Sequence, residues 1–284
     1  MKTKYKGDRD MDEIIFDIGI MLVGKHCDLV CEGCFQKSRN KVKYLDLESH
    51  LIDYLQEINV KQCFVGGGEP LLHDRLETIL YRLSEKFFVR YLLTHGNDIA
   101  PRHCYLNDYI ETLVISIDPM HKSAVERKQK NVFYPDHIFL TLKRYGIHEK
   151  VRINSVISNL NELPFFLNLR EEILSVSNIT DWHIYTNTNS SISETDYMKF
   201  IDTINDSNPL NFSVAYKLPS ENFIQLLIFP DFSIESYSFT YSHKVKKRFV
   251  RNILGFNTLF DLLWHIVRLH GKQIEVFRQM GARR

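Results

Sequence analysis

Three cysteines, Cys27, Cys31 and Cys34, fall within eight residues in the run Gly24-Lys25-His26-Cys27-Asp28-Leu29-Val30-Cys31-Glu32-Gly33-Cys34-Phe35. Cysteine thiolates hold iron–sulfur clusters, normally four for a cubane, so three closely spaced ligands leave one iron able to bind a small molecule. Structural zinc is the alternative, but such sites usually close with four ligands in paired spacing, and no second Cys/His pair stands nearby. Further on comes Gly66-Gly67-Gly68-Glu69-Pro70. Glycines there let a ligand approach the backbone closely, and Glu69 adds a carboxylate, although a tight turn at a strand end has the same composition.

These residues need elements that carry them to one place. Apolar, β-rich runs predict strands near 14 to 23, 61 to 66, 88 to 94, 111 to 117, 150 to 157 and 179 to 186. Between them lie segments of helical spacing, such as Leu76, Ile79, Leu80 and Leu83, or Leu163, Phe166, Leu167, Leu169 and Ile173. Alternation of this kind implies parallel strands with right-handed crossovers, in an open sheet or a full or partial barrel, with site loops at the strand C-terminal ends. The cysteine run follows the first strand and the glycine run ends the second. From about residue 206 the pattern changes to closer strand-like runs, NFSVAY, FIQLLIF and SYSFTY, with a helix expected from about Thr258 to Phe277. The division expected is an N-terminal segment of residues 1–13, a core of 14–205 and an α+β extension of 206–284 packed on it.

Bulk properties fit this picture and exclude others. The chain has 284 residues, 44% of them hydrophobic, and a formal net charge of +1. That length suits one large domain with an appendage, and the balance is that of a folded protein. So small a charge gives no general attraction for nucleic acid or anionic membrane, so neither is expected as a partner, although Lys244, Lys246, Lys247, Arg248 and Arg251 form a local basic patch. The start lacks a signal-type apolar stretch, which reads as cytoplasmic. An odd count of five cysteines, clustered as they are, is a poor disulfide framework.

Together, the C-x₃-C-x₂-C run after the first strand and Gly-Gly-Glu ending the second resemble the signature of the radical S-adenosylmethionine superfamily. The resemblance covers roughly residues 14 to 190. It implies a partial (β/α)₆ barrel in which Cys27, Cys31 and Cys34 bind one [4Fe–4S] cluster, whose fourth iron chelates S-adenosylmethionine. Gly67, Gly68 and Glu69 would contact the cofactor's amino group. The implied chemistry is one-electron cleavage of the cofactor to a 5′-deoxyadenosyl radical that abstracts hydrogen from a substrate. A one-electron donor such as flavodoxin or ferredoxin is implied as well.

Leu92-Leu93-Thr94-His95-Gly96-Asn97 is similar to the family's third-strand end, often Ser/Thr-Asn-Gly, and Ile115-Ser116-Ile117-Asp118 to its fourth, often Ser-x-Asp. Thr94 and Ser116 are thus candidate cofactor contacts, with local capping of the loops as the alternative. Arg127 stands where some members place a basic residue that contacts the cofactor carboxylate, a task that suits a bidentate guanidinium, and Asn154 lies in the segment that borders the adenine. INSVISNLNE and TDWHIYTN look most like viperin, which dehydrates a nucleoside triphosphate. Arg152 matches one of its basic positions, while His183 stands where a lysine is expected. CEGCFQKSR also resembles activases that install a glycyl radical on a partner enzyme, which are much shorter. Peptide, nucleotide and small metabolite all remain open as substrate, as does a non-catalytic module holding metal through the cysteines. Cys63, inside an apolar strand, and Cys104, in a polar loop, both read as buried small thiols, with donation of a hydrogen atom near a substrate as the alternative.

Overall fold

The computed structural model describes residues 15–21, 27–29, 31, 50–57, 60–128, 134–186, 191–205, 223–228, 234–239, 245–250 and 261–262. In chain order the elements are β1 (Ile15–Met21), α1 (His50–Glu57), β2 (Gln62–Gly66), α2 (Leu76–Ser84), β3 (Phe88–Thr94), α3 (Leu106–Tyr109), β4 (Thr112–Ser116), α4 (Pro119–Lys128), α5 (Asp136–Tyr145), β5 (Val151–Ile157), α6 (Leu163–Leu174), β6 (Ile179–Thr186), α7 (Glu194–Asn205), β7 (Phe223–Ile228), β8 (Ile234–Phe239) and β9 (Val245–Val250). They build one sheet in the order β6-β5-β4-β3-β2-β1-β7-β8-β9. The first seven strands run parallel; β8 and β9 are antiparallel additions.

Strand order follows chain order from β1 to β6, so successive right-handed crossovers advance in one direction and lay their helices on one face. The sheet is open, with the architecture of a partial barrel. β7 comes from the segment read as a C-terminal extension, yet it pairs in parallel with β1 along six residues and continues the core sheet. NFSVAY lies outside the described residues, as do residues 258 to 260 and 263 to 277 of the expected terminal helix and the side chains of the basic patch.

Alternation divides each strand between the two faces. In β5, Val151, Ile153, Ser155 and Ile157 are buried while Arg152, Asn154 and Val156 are half-buried. In β6, Trp182 and Ile184 are buried while Asp181, His183 and Tyr185 are half-buried. The buried set meets the helices. Phe166 of α6 stacks on Trp182 with ring centroids 6.1 Å apart, and Phe200 of α7 packs edge-on to Phe166 at 5.2 Å. Trp182 Nε1 donates to Ser155 Oγ at 3.0 Å, and that hydroxyl donates to the Ile117 carbonyl, so the polar groups in this layer are bonded. In α2, Leu76, Ile79, Leu80 and Leu83 repeat at helical spacing and all are buried. Burying each such side chain contributes about 1.5–3 kcal/mol.

The opposite face has its own small apolar cluster of Phe64, Leu227 and Tyr91. Phe64 stacks on Tyr91 at 4.7 Å. A Cβ on Gly19 would stand 2.3 Å from the Phe64 ring, so glycine lets that ring lie flat across β1.

One histidine links this packing to pH. His103 is buried, and its Nδ1 accepts the Ala100 N–H at 3.1 Å. Burial, with Arg102 alongside, lowers its pKa to about 4. A depressed folded-state pKa contributes stability that is present above the unfolded value of about 6.5 and is lost as pH falls through 4. Urea midpoints should therefore drop between pH 7 and pH 4, and His103→Asn should flatten that slope; equal slopes in the two proteins would exclude His103 as a cause.

Candidate active site

Parallel strands bring their C-terminal ends to one edge, and the sequence motifs meet there. β2 runs into Gly67 and Gly68, at φ 89° and 53°. Both lie in the left-handed region that glycine adopts at little cost, and the turn they make carries Glu69 inward beneath the strand end. Glu69 is fully buried. Its Oε1 accepts the Leu71 N–H at 2.9 Å and the Thr94 hydroxyl at 2.6 Å; its Oε2 accepts the His95 N–H at 2.9 Å. Pro70 opens the following short helical turn, where an N–H would have no partner in any case. Thr94 is buried too, and its hydroxyl accepts the Gly96 N–H at 2.9 Å.

Cys27 is half-buried, Cys31 is buried, and both are free thiols. Cys34 lies outside the described residues. Cys27 and Cys31 each have an imidazole as neighbour. His95 is the neighbour of Cys27, and its Nε2 is 2.8 Å from Asp28 Oδ1 and 3.0 Å from Glu69 Oε2. Burial pulls the His95 pKa down, but Glu69, Asp28 and Cys27 prevail and raise it well above its ordinary value. His121, on α4, is the neighbour of Cys31. Its Nδ1 lies 3.0 Å from Asp118 Oδ2, an ion-pair distance without the alignment of a hydrogen bond. Burial lowers its pKa, while Asp118 and Cys31 outweigh burial and bring it up to about 10. Tyr134 closes the group: it is buried, donates to the Ser116 carbonyl at 3.2 Å, and is held well above the ordinary phenol range by burial, with Asp118, Cys31 and Glu69 adding to it.

Cys27, Asp28 and His95 offer ligand atoms within 4.8 Å of one another. The 2.8 Å separation of His95 from Asp28 is a hydrogen bond, however, so these two partner each other. The carboxylates beside the thiols are already engaged by N–H and O–H donors. That leaves the soft thiols as the donor set, which suits a cysteine-held iron–sulfur cluster.

The remaining candidates spread along the same edge and the open face. Ser116 ends β4 half-buried. It pairs in register with Asn154, which pairs with His183. Asn154 Oδ1 and Arg152 Nε are buried without a hydrogen-bond partner. His183 is half-buried, with Nδ1 3.1 Å from the Tyr185 hydroxyl, and burial together with Arg152 lowers its pKa. Arg127 belongs to α4, but its side chain lies outside the described residues. Cys63 is fully buried in β2, as expected, where burial pushes the thiol up to about 12, whereas Cys104, expected to be buried, is exposed because it stands on the outer side of a short helical turn rather than in a strand. Asp28, His95, Asp118, His121 and Tyr134 were not singled out from the sequence. Asp28 and His95 are 67 residues apart, and no local pattern joins them.

Replacing Glu69 by Gln would turn an N–H₂ toward at least one of these buried donors. The expected loss is about 1–3 kcal/mol of unfolding free energy in urea, whereas a loss within error would mean that the clamp is not strained by the amide.

No protein-family model matches the chain. It is 25% identical over 182 residues to GTP 3′,8-cyclase of Aquifex aeolicus, covering 55% of this chain and 56% of that protein. It is 41% identical over 61 residues to 7-carboxy-7-deazaguanine synthase of Clostridium acetobutylicum, covering 20% of this chain and 28% of that one. The chain thus spans about half the length, or less, of these curated relatives. Among solved structures, SuiB of Streptococcus suis bound to S-adenosylmethionine aligns with a TM-score of 0.56 at 16% identity, over 77% of this chain and 59% of that one. The protein anSMEcpe, with bound AdoMet and Cp18Cys peptide, aligns with a TM-score of 0.53 at 16% identity, over 78% and 73%. Among the described residues, no helix is long and apolar enough to cross a membrane.

Proposed function

We propose, from the premise that this chain is similar in sequence to radical S-adenosylmethionine enzymes and shares their fold, that it cleaves S-adenosylmethionine reductively and turns the resulting radical on a substrate. The observation that carries the reading is the convergence of free thiols Cys27 and Cys31 with the Gly67-Gly68-Glu69 turn at one edge of a parallel sheet. When bound, a [4Fe–4S] cluster and S-adenosylmethionine supply a one-electron cleavage that yields a 5′-deoxyadenosyl radical.

The chain's own residues divide the remaining tasks. Cys27 and Cys31, with Cys34, would hold the cluster. Glu69, turned into the protein, shapes the turn, so that Gly67 and Gly68 present backbone toward the cofactor. Thr94 holds Glu69. Ser116 and Asn154 would border the cofactor along β4 and β5, and Arg127 would meet its carboxylate. The open face beyond them, with Tyr91, Arg152, His183 and Tyr185, would receive the substrate and keep its reacting C–H close and dry. Both solved neighbours named above hold S-adenosylmethionine and one of them a peptide, which supports a peptide among the substrate classes; the nucleotide and the deazaguanine in the relatives' names keep small molecules among them. The reaction also needs a one-electron donor.

Anaerobic reconstitution with iron and sulfide, followed by dithionite and S-adenosylmethionine, should yield 5′-deoxyadenosine in the wild type and none in Cys31→Ala. Bound zinc without an iron cluster would sink the reading and favour a metal-holding interaction module. Asn154→Ala should raise the KM for S-adenosylmethionine severalfold while leaving the cluster's absorbance unchanged; an unaltered KM would remove Asn154 from the cofactor site.

A further inference from the structure

His95 reaches both halves of the site. Its Nε2 lies between Asp28 Oδ1 and Glu69 Oε2, and its Nδ1 accepts the Asn97 N–H at 3.0 Å. The neutral ring that accepts at Nδ1 carries its proton on Nε2, and the charged ring carries that same proton, so in either form an N–H faces the two carboxylates. Asp28 follows Cys27 directly, and Cys27, Asp28 and His95 bring their polar atoms within 4.8 Å of one another. Asn97 Nδ2 reaches the other oxygen of Asp28 at 3.5 Å. One ring therefore fastens the cysteine loop to the ends of β2 and β3, and it places a donor between two carboxylates beside a cluster-holding thiol.

We propose that His95 is a positioning residue that ties the Cys27 loop to Glu69 and sets the reduction potential of the cluster which that loop holds. The proposal rests on the function stated above. Reduction adds a negative charge to the cluster, and carboxylates close to a ligating sulfur oppose it. The His95 N–H offsets their field and keeps them from repelling each other and the loop. Groups that touch a ligand's neighbours in this way tune potential without touching the substrate.

The test is an anaerobic redox titration, followed by electron paramagnetic resonance, of the reconstituted full chain without S-adenosylmethionine. His95→Leu should lower the ratio of reduced to oxidised cluster at a fixed poise about tenfold, which is about 59 mV for one electron. His95→Gln, which keeps an N–H donor, should fall closer to the wild type. Asp28→Asn, which removes a carboxylate, should shift the ratio the opposite way from His95→Leu. Opposite signs support the electrostatic role, because mere loosening of the loop would move both variants alike. If the leucine variant does not fold, His95→Gln and Asp28→Asn still decide by the same comparison of sign. Equal potentials in all proteins, or shifts of one sign, would overturn the role of His95 while leaving the function standing. A wild-type chain that takes up no [4Fe–4S] cluster would instead overturn the function, and this role with it.

Discussion

A carboxylate without access to water must be given hydrogen bonds by the protein, and Glu69 draws three of them from two stretches of chain. The Leu71 N–H comes from its own turn, while the Thr94 hydroxyl and the His95 N–H come from the end of β3. Leaving such a group unsatisfied costs several kcal/mol, so the ends of β2 and β3 cannot separate without exposing it to that cost. His95 then passes the constraint onward to Asp28, and through Asp28 to the loop of Cys27. The chemistry at the edge of the sheet thus depends on one buried acid.

The sheet supplies the frame for this arrangement. Seven parallel strands bring their C-terminal ends to one side, which is why Asp28, Glu69 and His95 can meet although they are far apart in the chain. Helices cover one face with aliphatic and aromatic side chains, and the other face stays partly polar toward β5 and β6. There Arg152 Nε and Asn154 Oδ1 are buried without hydrogen-bond partners. Phe64, Leu227 and Tyr91 make the apolar end of that face.

Much of the frame was legible in the chain itself. The strands read near 88 to 94 and 179 to 186 coincide with β3 and β6, and α6 begins and ends within a residue of its apolar repeat. Hydrophobic periodicity carries that information because each element buries one face, whatever its neighbours. The place of β7 was not readable in this way. Its residues say that it is a strand, but pairing beside β1, some two hundred residues earlier in the chain, depends on which edge of the finished sheet lies open.

By itself the sequence determined the residue types and their spacing: three thiols in a short run after one strand, and a glycine-rich acidic turn after the next. Those features are local, and local covalent spacing is what a sequence records directly. Only the tertiary structure decided that Glu69 faces inward rather than outward, that Thr94 serves it, and that His95 and His121 stand beside Cys27 and Cys31. Each of these pairings joins residues on different strands or loops. Their partners are chosen by strand register and by the burial of charge, which exist only once the sheet has formed.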